Sequence, residues 1–234
     1  MKRKIVALCL FLLLLSGISL FVQANADEAT TYNAEEIYER AESAVFYIRA
    51  LNDDNTLKAS GTGVMISPDG IAATAYHVVA EADHLEAIFN DGRMVSSIEV
   101  LGRDDQTDAA ILKLPAATAV ARENASFEKK ASYNALRVRE TAVKHGEKVF
   151  AIGYPMKDTP IITEGIINSP KAEINGRDRI LTSAQIVGGM SGGPVIDRYG
   201  RLAGIVSGSM RTMNNIHLVI PTEQLRNLLP PSTK

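Results

Sequence analysis

The feature that most constrains this chain is its punctuation. From Val45 onward, apolar runs of strand length alternate with turn chemistry at short intervals, and no long amphipathic helical period develops. Val64–Ile66 and Ile71–Thr74 flank Ser67-Pro68-Asp69-Gly70, where proline presets φ and glycine supplies a positive φ. Leu85–Phe89 and Met94–Val100 flank Asn90-Asp91-Gly92 in the same way. Further strands are predicted at Val45–Ala50, Ala109–Leu114, Val149–Gly153, Ile161–Ser169, Arg179–Ser183, Val195–Asp197, Leu202–Ser207 and His217–Ile220. Asn175-Gly176 and Asp197-Arg198-Tyr199-Gly200 add two more turns. Strands at this spacing imply an all-β sandwich or a pair of barrels and exclude repeated βαβ units. Only two short helices are expected, a surface one within Tyr32–Glu42 and a terminal one at Thr222–Leu229.

The first 26 residues read as a leader rather than as part of the fold. Lys2, Arg3 and Lys4 precede an apolar run from Ile5 to Leu15, and Ala24-Asn25-Ala26 supplies the small residues of a cleavage site. The expectation is a cleaved signal peptide at 1–26, hence a secreted or cell-envelope protein without stable membrane association; the alternative is an uncleaved anchor. Cys9, the sole cysteine, lies inside the apolar run, so the exported chain must hold together by its core alone. Behind the leader, the turn-rich segments divide at a polar stretch. This places an N-terminal barrel at 27–115, a linker or surface segment at 116–146, and a C-terminal barrel with its terminal helix at 147–234. A net charge of −2 offers no basic field for nucleic acid.

Chemistry concentrates in three segments. Gly188-Gly189-Met190-Ser191-Gly192-Gly193-Pro194 holds five Gly or Pro in seven residues around one serine. Glycines free the backbone to turn N–H groups inward, as an oxyanion hole beside a nucleophile requires. A serine is a weak nucleophile at neutral pH and needs a histidine base oriented by a carboxylate. His77 follows a predicted strand, and Asp108 opens one, where a carboxylate needs a partner. Each alone fits an ordinary structural role. Together, in the order His, Asp, Ser, they form one constellation.

These residues resemble those of the chymotrypsin-like serine peptidases, and within them the HtrA/Deg group. Gly61–Gly70 resembles that group's glycine-rich first hairpin, Thr74–Val79 its histidine motif, and Asp108–Leu114 its aspartate motif. Gly146–Pro155 and Thr163–Ile167 are similar to its second-barrel strands, Gly189–Pro194 to its serine motif, and Ile220-Pro221 to the lead-in of its last helix. The resemblance implies two six-stranded antiparallel β-barrels with the active site between them. Ser191 would be the nucleophile, His77 the base, Asp108 its orienting partner, and the N–H groups of Gly189 and Ser191 the oxyanion hole. It also implies a specificity pocket with Gln185 at the floor and Val206, Ser207 and Gly208 along the wall.

The expected activity is secreted serine endopeptidase, acting on polypeptides through an acyl-enzyme, after small or medium aliphatic residues because Gln185 brings no carboxylate to the floor. The alternative is a catalytically silent binding module on the same fold. Two departures from the group are expected: no PDZ domain, since the sequence runs only to Lys234, and Met190 where Asn is usual, with its side chain beside the hole. No cofactor and no metal are expected, since His77, Glu81 and His84 lack a zinc-site spacing. By analogy with the group the chain is compatible with a homo-oligomer, although no motif establishes one. His145 and His217 read as surface or ordinary packing. Lys129, Lys130, Arg137 and Arg139 read as a solvated charged face.

Overall fold

The computed structural model describes residues 30–119, 132–210 and 213–229. The expected leader lies outside the described residues, as do Lys129 and Lys130. Helix α1, Ala34–Ala41, starts at a capping box in which Asn33 accepts from the Glu36 N–H and Glu36 accepts from the Asn33 N–H. Its Ile37 and Ala41 are buried, so this helix docks on the core with one face. A 3₁₀ turn at Glu42–Ala44 then leads into the first strand.

Seven strands form the N-terminal sheet: β1 Val45–Leu51, β2 Leu57–Met65, β3 Ile71–Ala75, β4 His84–Phe89, β5 Met94–Val95, β6 Glu99–Asp104 and β7 Ala109–Lys113. Their order is β5-β4-β1-β2-β3-β7-β6, and every pair is antiparallel. Helix α2, Tyr76–Val79, follows β3 directly. Six more strands, β8 Lys148–Met156, β9 Thr159–Ile174, β10 Arg177–Thr182, β11 Pro194–Asp197, β12 Leu202–Ser209 and β13 His217–Pro221, close into a barrel of order β10-β13-β12-β11-β8-β9. Helix α3, Thr222–Leu228, ends the described chain. The expected double barrel is present, its second half closed and its first a half-barrel. The predicted strand Met94–Val100 is split into β5 and β6, with Ser97 between them at φ 58.

The apolar runs in β8, β11, β12 and β13 are nearly continuous because both faces of these strands are largely covered. Along β8, Val149 and Ala151 point into a core inside the barrel, while Phe150 and Ile152 join a larger core shared with the first sheet. The same alternation sends Val195, Val206 and Val219 inward and Ile196, Ile205 and Ile220 toward Phe46, Val64 and Ile111. The two halves are therefore cemented across a common apolar layer, and the cleft that holds the site is set by that packing.

One sequence reading is corrected by this packing. Arg139 does not belong to a solvated face: it is buried, with Glu147 and Asp197 against its guanidinium. Asp197 is itself 1% exposed and accepts from the N–H groups of Tyr199 and Arg201 and from Arg201 Nε. The segment leading to β8 needs this ion cluster to lie against the barrel, where Arg139 N donates to the Leu202 carbonyl.

Candidate active site

Helix α2 presents His77 at the end of β3, because the strand stops where Tyr76 N donates to the Asp108 carbonyl (2.8 Å). Asp108 sits one residue before β7 in the left-handed region, at φ 61, after a turn in which its N–H donates to the Asp105 carbonyl. Such a conformation is tolerated by aspartate better than by most residues and marks a place where the backbone is bent to aim a side chain. Here it aims the carboxylate at His77. Oδ1 accepts from the His77 N–H (3.1 Å) and lies 3.0 Å from Nδ1, while Oδ2 lies 3.2 Å from the same nitrogen. With Nδ1 committed, the other ring nitrogen is left for a reacting group, and the imidazole side chain is 49% exposed.

A third donor completes the carboxylate. Ser207 Oγ donates to Asp108 Oδ2 at 2.6 Å across 99 residues of sequence. Burial pushes the Asp108 carboxyl up, but the His77 ring, its positive charge when protonated, the Ser207 hydroxyl and the His77 N–H together hold it below the ordinary carboxylate range. Sequence reasoning placed Ser207 on a specificity wall and missed this role. No local pattern signals it, since it depends on strands from both halves meeting.

Ser191 is brought to the same place. Its carbonyl accepts from Thr62 N (2.8 Å) on β2, and its Oγ faces the Ser207 carbonyl at 3.5 Å rather than His77. The loop around it fits only as glycine. Gly192 has φ +86, and a Cβ there would stand 2.1 Å from the Thr62 carbonyl oxygen and from Thr74 Oγ1. Gly189 has φ +90, and its carbonyl accepts from Thr62 Oγ1 (2.8 Å), which in turn accepts from Tyr154 N (2.9 Å). Met190 N, Gly192 N and Gly193 N are all bonded within the protein, whereas Gly189 N and Ser191 N meet no acceptor among the described residues. Two backbone donors therefore remain open beside the serine.

Met190 stands between the two open donors, but its side chain is not beside the hole as its sequence position suggests. It is 0% exposed and belongs to the core inside the second barrel, an apolar location that suits methionine and would strand an amide. Of the expected pocket residues, Gln185 is exposed with its carbonyl accepting from Thr163 Oγ1, Val206 is buried in the barrel core, and Ser207 and Gly208 are half-exposed. Behind them lies a residue read as ordinary packing. His217 on β13 is 3% exposed, with Nδ1 2.8 Å from Ser209 Oγ, and Nε2 has no partner among the described residues. Burial lowers its affinity for a proton, which keeps the ring neutral at pH 7.

Comparison with known proteins fits this geometry. Residues 61–205 match the Trypsin-like peptidase domain. The serine endoprotease DegS of Haemophilus influenzae is 28% identical over 92% of this chain and 66% of its own length. A probable periplasmic serine endoprotease, DegP-like, of Brucella suis is 31% identical over 63% of this chain and 27% of its own. The crystal structure of the serine endoprotease from Yersinia pestis superposes with a TM-score of 0.70 at 26% identity, covering 85% of this chain and 65% of that one. The chain thus spans between about a quarter and two thirds of the length of these relatives.

Proposed function

The chain belongs to the trypsin-like peptidase domain family, and from that premise we propose that it is a serine endopeptidase in which Ser191, His77 and Asp108 cleave peptide bonds. Ser191 Oγ turns from the Ser207 carbonyl toward His77, gives up its proton and attacks the scissile carbonyl. The oxyanion forms against the N–H groups of Gly189 and Ser191, neither of which meets an acceptor among the described residues. His77 then protonates the leaving amine, and water hydrolyses the acyl-enzyme by the reverse sequence. Asp108 holds the tautomer and stabilises the imidazolium without taking the proton.

The observation that carries this reading is the Asp108 carboxylate. It is almost buried, aimed by a left-handed backbone, and bound by both His77 and Ser207. No core needs such an arrangement for packing. All members of the set are present, so nothing favours a silent binding module.

Cleavage after small or medium aliphatic residues fits the surroundings. Gln185 supplies no carboxylate for a basic side chain, and His217, kept neutral by burial, supplies no charge for an acidic one. Burying a small aliphatic side chain gains on the order of 1–3 kcal/mol, whereas a charge left unpaired there would cost several. The basic, apolar and small-residue order of residues 1–26 and the periplasmic name of the Brucella relative support export to the envelope.

A fluorophosphonate probe tests the reaction class. The expected result is one covalent adduct, mapped by mass spectrometry to Ser191 and absent from Ser191→Ala. A folded protein that takes no label, or takes it elsewhere, would contradict the proposal.

A further inference from the structure

The tight turn at Asn175-Gly176, with φ of 52 and 73, joins β9 to β10 and sets Arg177 and Arg179 two residues apart on one face of β10. Ile180 between that row and the next points into the barrel core, so the arginines face outward, toward the half of the protein that carries Asp108. The sheet register continues this face. Leu181 pairs with Leu218 on β13, and Leu218 pairs with Gly208 on β12. Gly208 contributes no side chain, and a Cβ placed there would meet nothing within 4 Å. What remains is a cavity of about 350 Å³ lined by Ser207, Leu218, Ile174, Asn175, Arg177 and Arg179.

The charge in this cavity is unmet. Arg179 is 2% exposed, yet its guanidinium has one hydrogen bond, from Nη1 to the Asp178 carbonyl (2.9 Å), and no carboxylate within 4.0 Å among the described residues. The carboxylates whose charge it feels are Asp108, both of whose oxygens are taken by His77 and Ser207, and Asp178, which is exposed and has Lys171 Nζ 3.2 Å from its Oδ2. Arg177 has Asp105 at 3.5 Å, but that contact is exposed and weak. A buried guanidinium without an anion is costly, and a carboxylate matches its fork of donors.

A substrate would reach this cavity by strand addition. Strand β12 is paired with β11 only as far as Ile205, and two hydrogen bonds, from Val206 N to the Gly193 carbonyl and from Gly192 N to the Val206 carbonyl, close that ladder. Beyond them Ser207–Ser209 pair with no strand on this side among the described residues, and this edge begins beside Ser191 Oγ, which faces the Ser207 carbonyl. An extended peptide lying antiparallel along this edge would place its scissile carbonyl at Ser191 and run its preceding residues toward Ser209, past the arginine-lined face.

We propose that this cavity is a subsite for an acidic side chain at one of the positions P2 to P4, held by Arg179 with Arg177 at its mouth. This rests on the peptidase reading for the direction of the bound peptide. The recognised chemistry is a glutamate or aspartate carboxylate, and selectivity at this subsite adds to the aliphatic preference at P1.

The test uses quenched fluorescent peptides with a fixed valine at P1 and a single Glu moved through P4, P3 and P2, each beside its Gln and Lys counterparts. At one position Glu should raise kcat/KM roughly tenfold or more over Gln, with Lys below Gln. Arg179→Gln should bring the Glu/Gln ratio to about one, Arg179→Lys should retain part of it, and Arg177→Gln, at a half-exposed site, should lower it a few-fold. Equal cleavage of Glu and Gln peptides at all three positions would overturn the proposal. The Ser191→Ala protein separates the two claims, because affinity for the same peptides is measured without turnover. Tighter binding of a Glu peptide supports the subsite even if no peptide is cut, and equal affinity for Glu and Gln peptides refutes it whatever the activity.

Discussion

Ser207→Ala removes a single hydroxyl, and the structure says what should follow. In the intact protein Asp108 Oδ2 accepts a 2.6 Å hydrogen bond from Ser207 and otherwise has only His77 Nδ1 at 3.2 Å. The carboxylate is 6% exposed, so water cannot replace the lost donor freely. A hydrogen bond to a charged group contributes about 1.5–3 kcal/mol, which places the expected loss near 2 kcal/mol at pH 7. Because the folded-state carboxyl is held below its ordinary value of 3.8, its contribution is present above that pH and is lost as pH falls through the folded value. The cost of Ser207→Ala should therefore be largest at pH 7 and shrink by pH 3. Urea unfolding at both pH values reads it, with a midpoint shift of about 1 M at pH 7 for an m-value of about 2 kcal/mol/M. The substitution keeps the Ser207 backbone and acts through Asp108 and His77, so the accompanying loss, roughly tenfold or more, should fall mainly on kcat rather than KM. A change below about 0.5 kcal/mol, or the same cost at pH 7 and pH 3, would refute the reasoning.

Thr62→Val keeps the shape of β2 but deletes the hydroxyl that joins Gly189 O to Tyr154 N. The stranded Tyr154 N–H should cost about 1–3 kcal/mol in denaturant unfolding, and the slackened loop should lower kcat more than KM. Asp197→Ala leaves Arg139 and Arg201 facing a buried gap and should destabilise by about 3–5 kcal/mol, read as a large drop in thermal midpoint. For His217, burial holds the folded pKa below 6.5, so the unfolded chain binds the extra proton and stability should fall as pH drops below about 6.5. That acid-side loss should be reduced in His217→Gln, as unfolding curves at pH 7 and pH 5 would record.

What could be read from the chain was local. Turns such as Ser67–Gly70, Asn90–Gly92, Asn175-Gly176 and Asp197–Gly200 announce themselves by residue type, and both faces of the middle of β8, β11, β12 and β13 are covered, so Val149–Ile152, Val195-Ile196, Ile205-Val206 and Val219-Ile220 are unbroken apolar runs. Strand β9 was read as Ile161–Ser169 but extends to Ile174, because its outer half alternates polar residues around Pro170 and lacks an apolar signal. The three candidate catalytic residues were legible because glycines, a histidine and a strand-opening aspartate are chemically unusual in their settings. Ser207 was not, since its bond to Asp108 spans 99 residues and looks locally like any strand serine. Arg139 misled for the same reason, with partners 8 and 58 residues away turning a surface pattern into a buried ion cluster. His217 likewise owes its burial to a strand arrangement that no neighbouring residue encodes.

The central claim is that Ser191 and His77 act as one unit, and a double-mutant comparison tests it most directly. Peptide hydrolysis is measured for the parent protein, for Ser191→Ala, for His77→Ala and for the variant carrying both. Each single change should lower kcat by several orders of magnitude, and the double variant should be little worse than either. Near-parental turnover by Ser191→Ala, or losses that multiply in the double variant, would contradict the account.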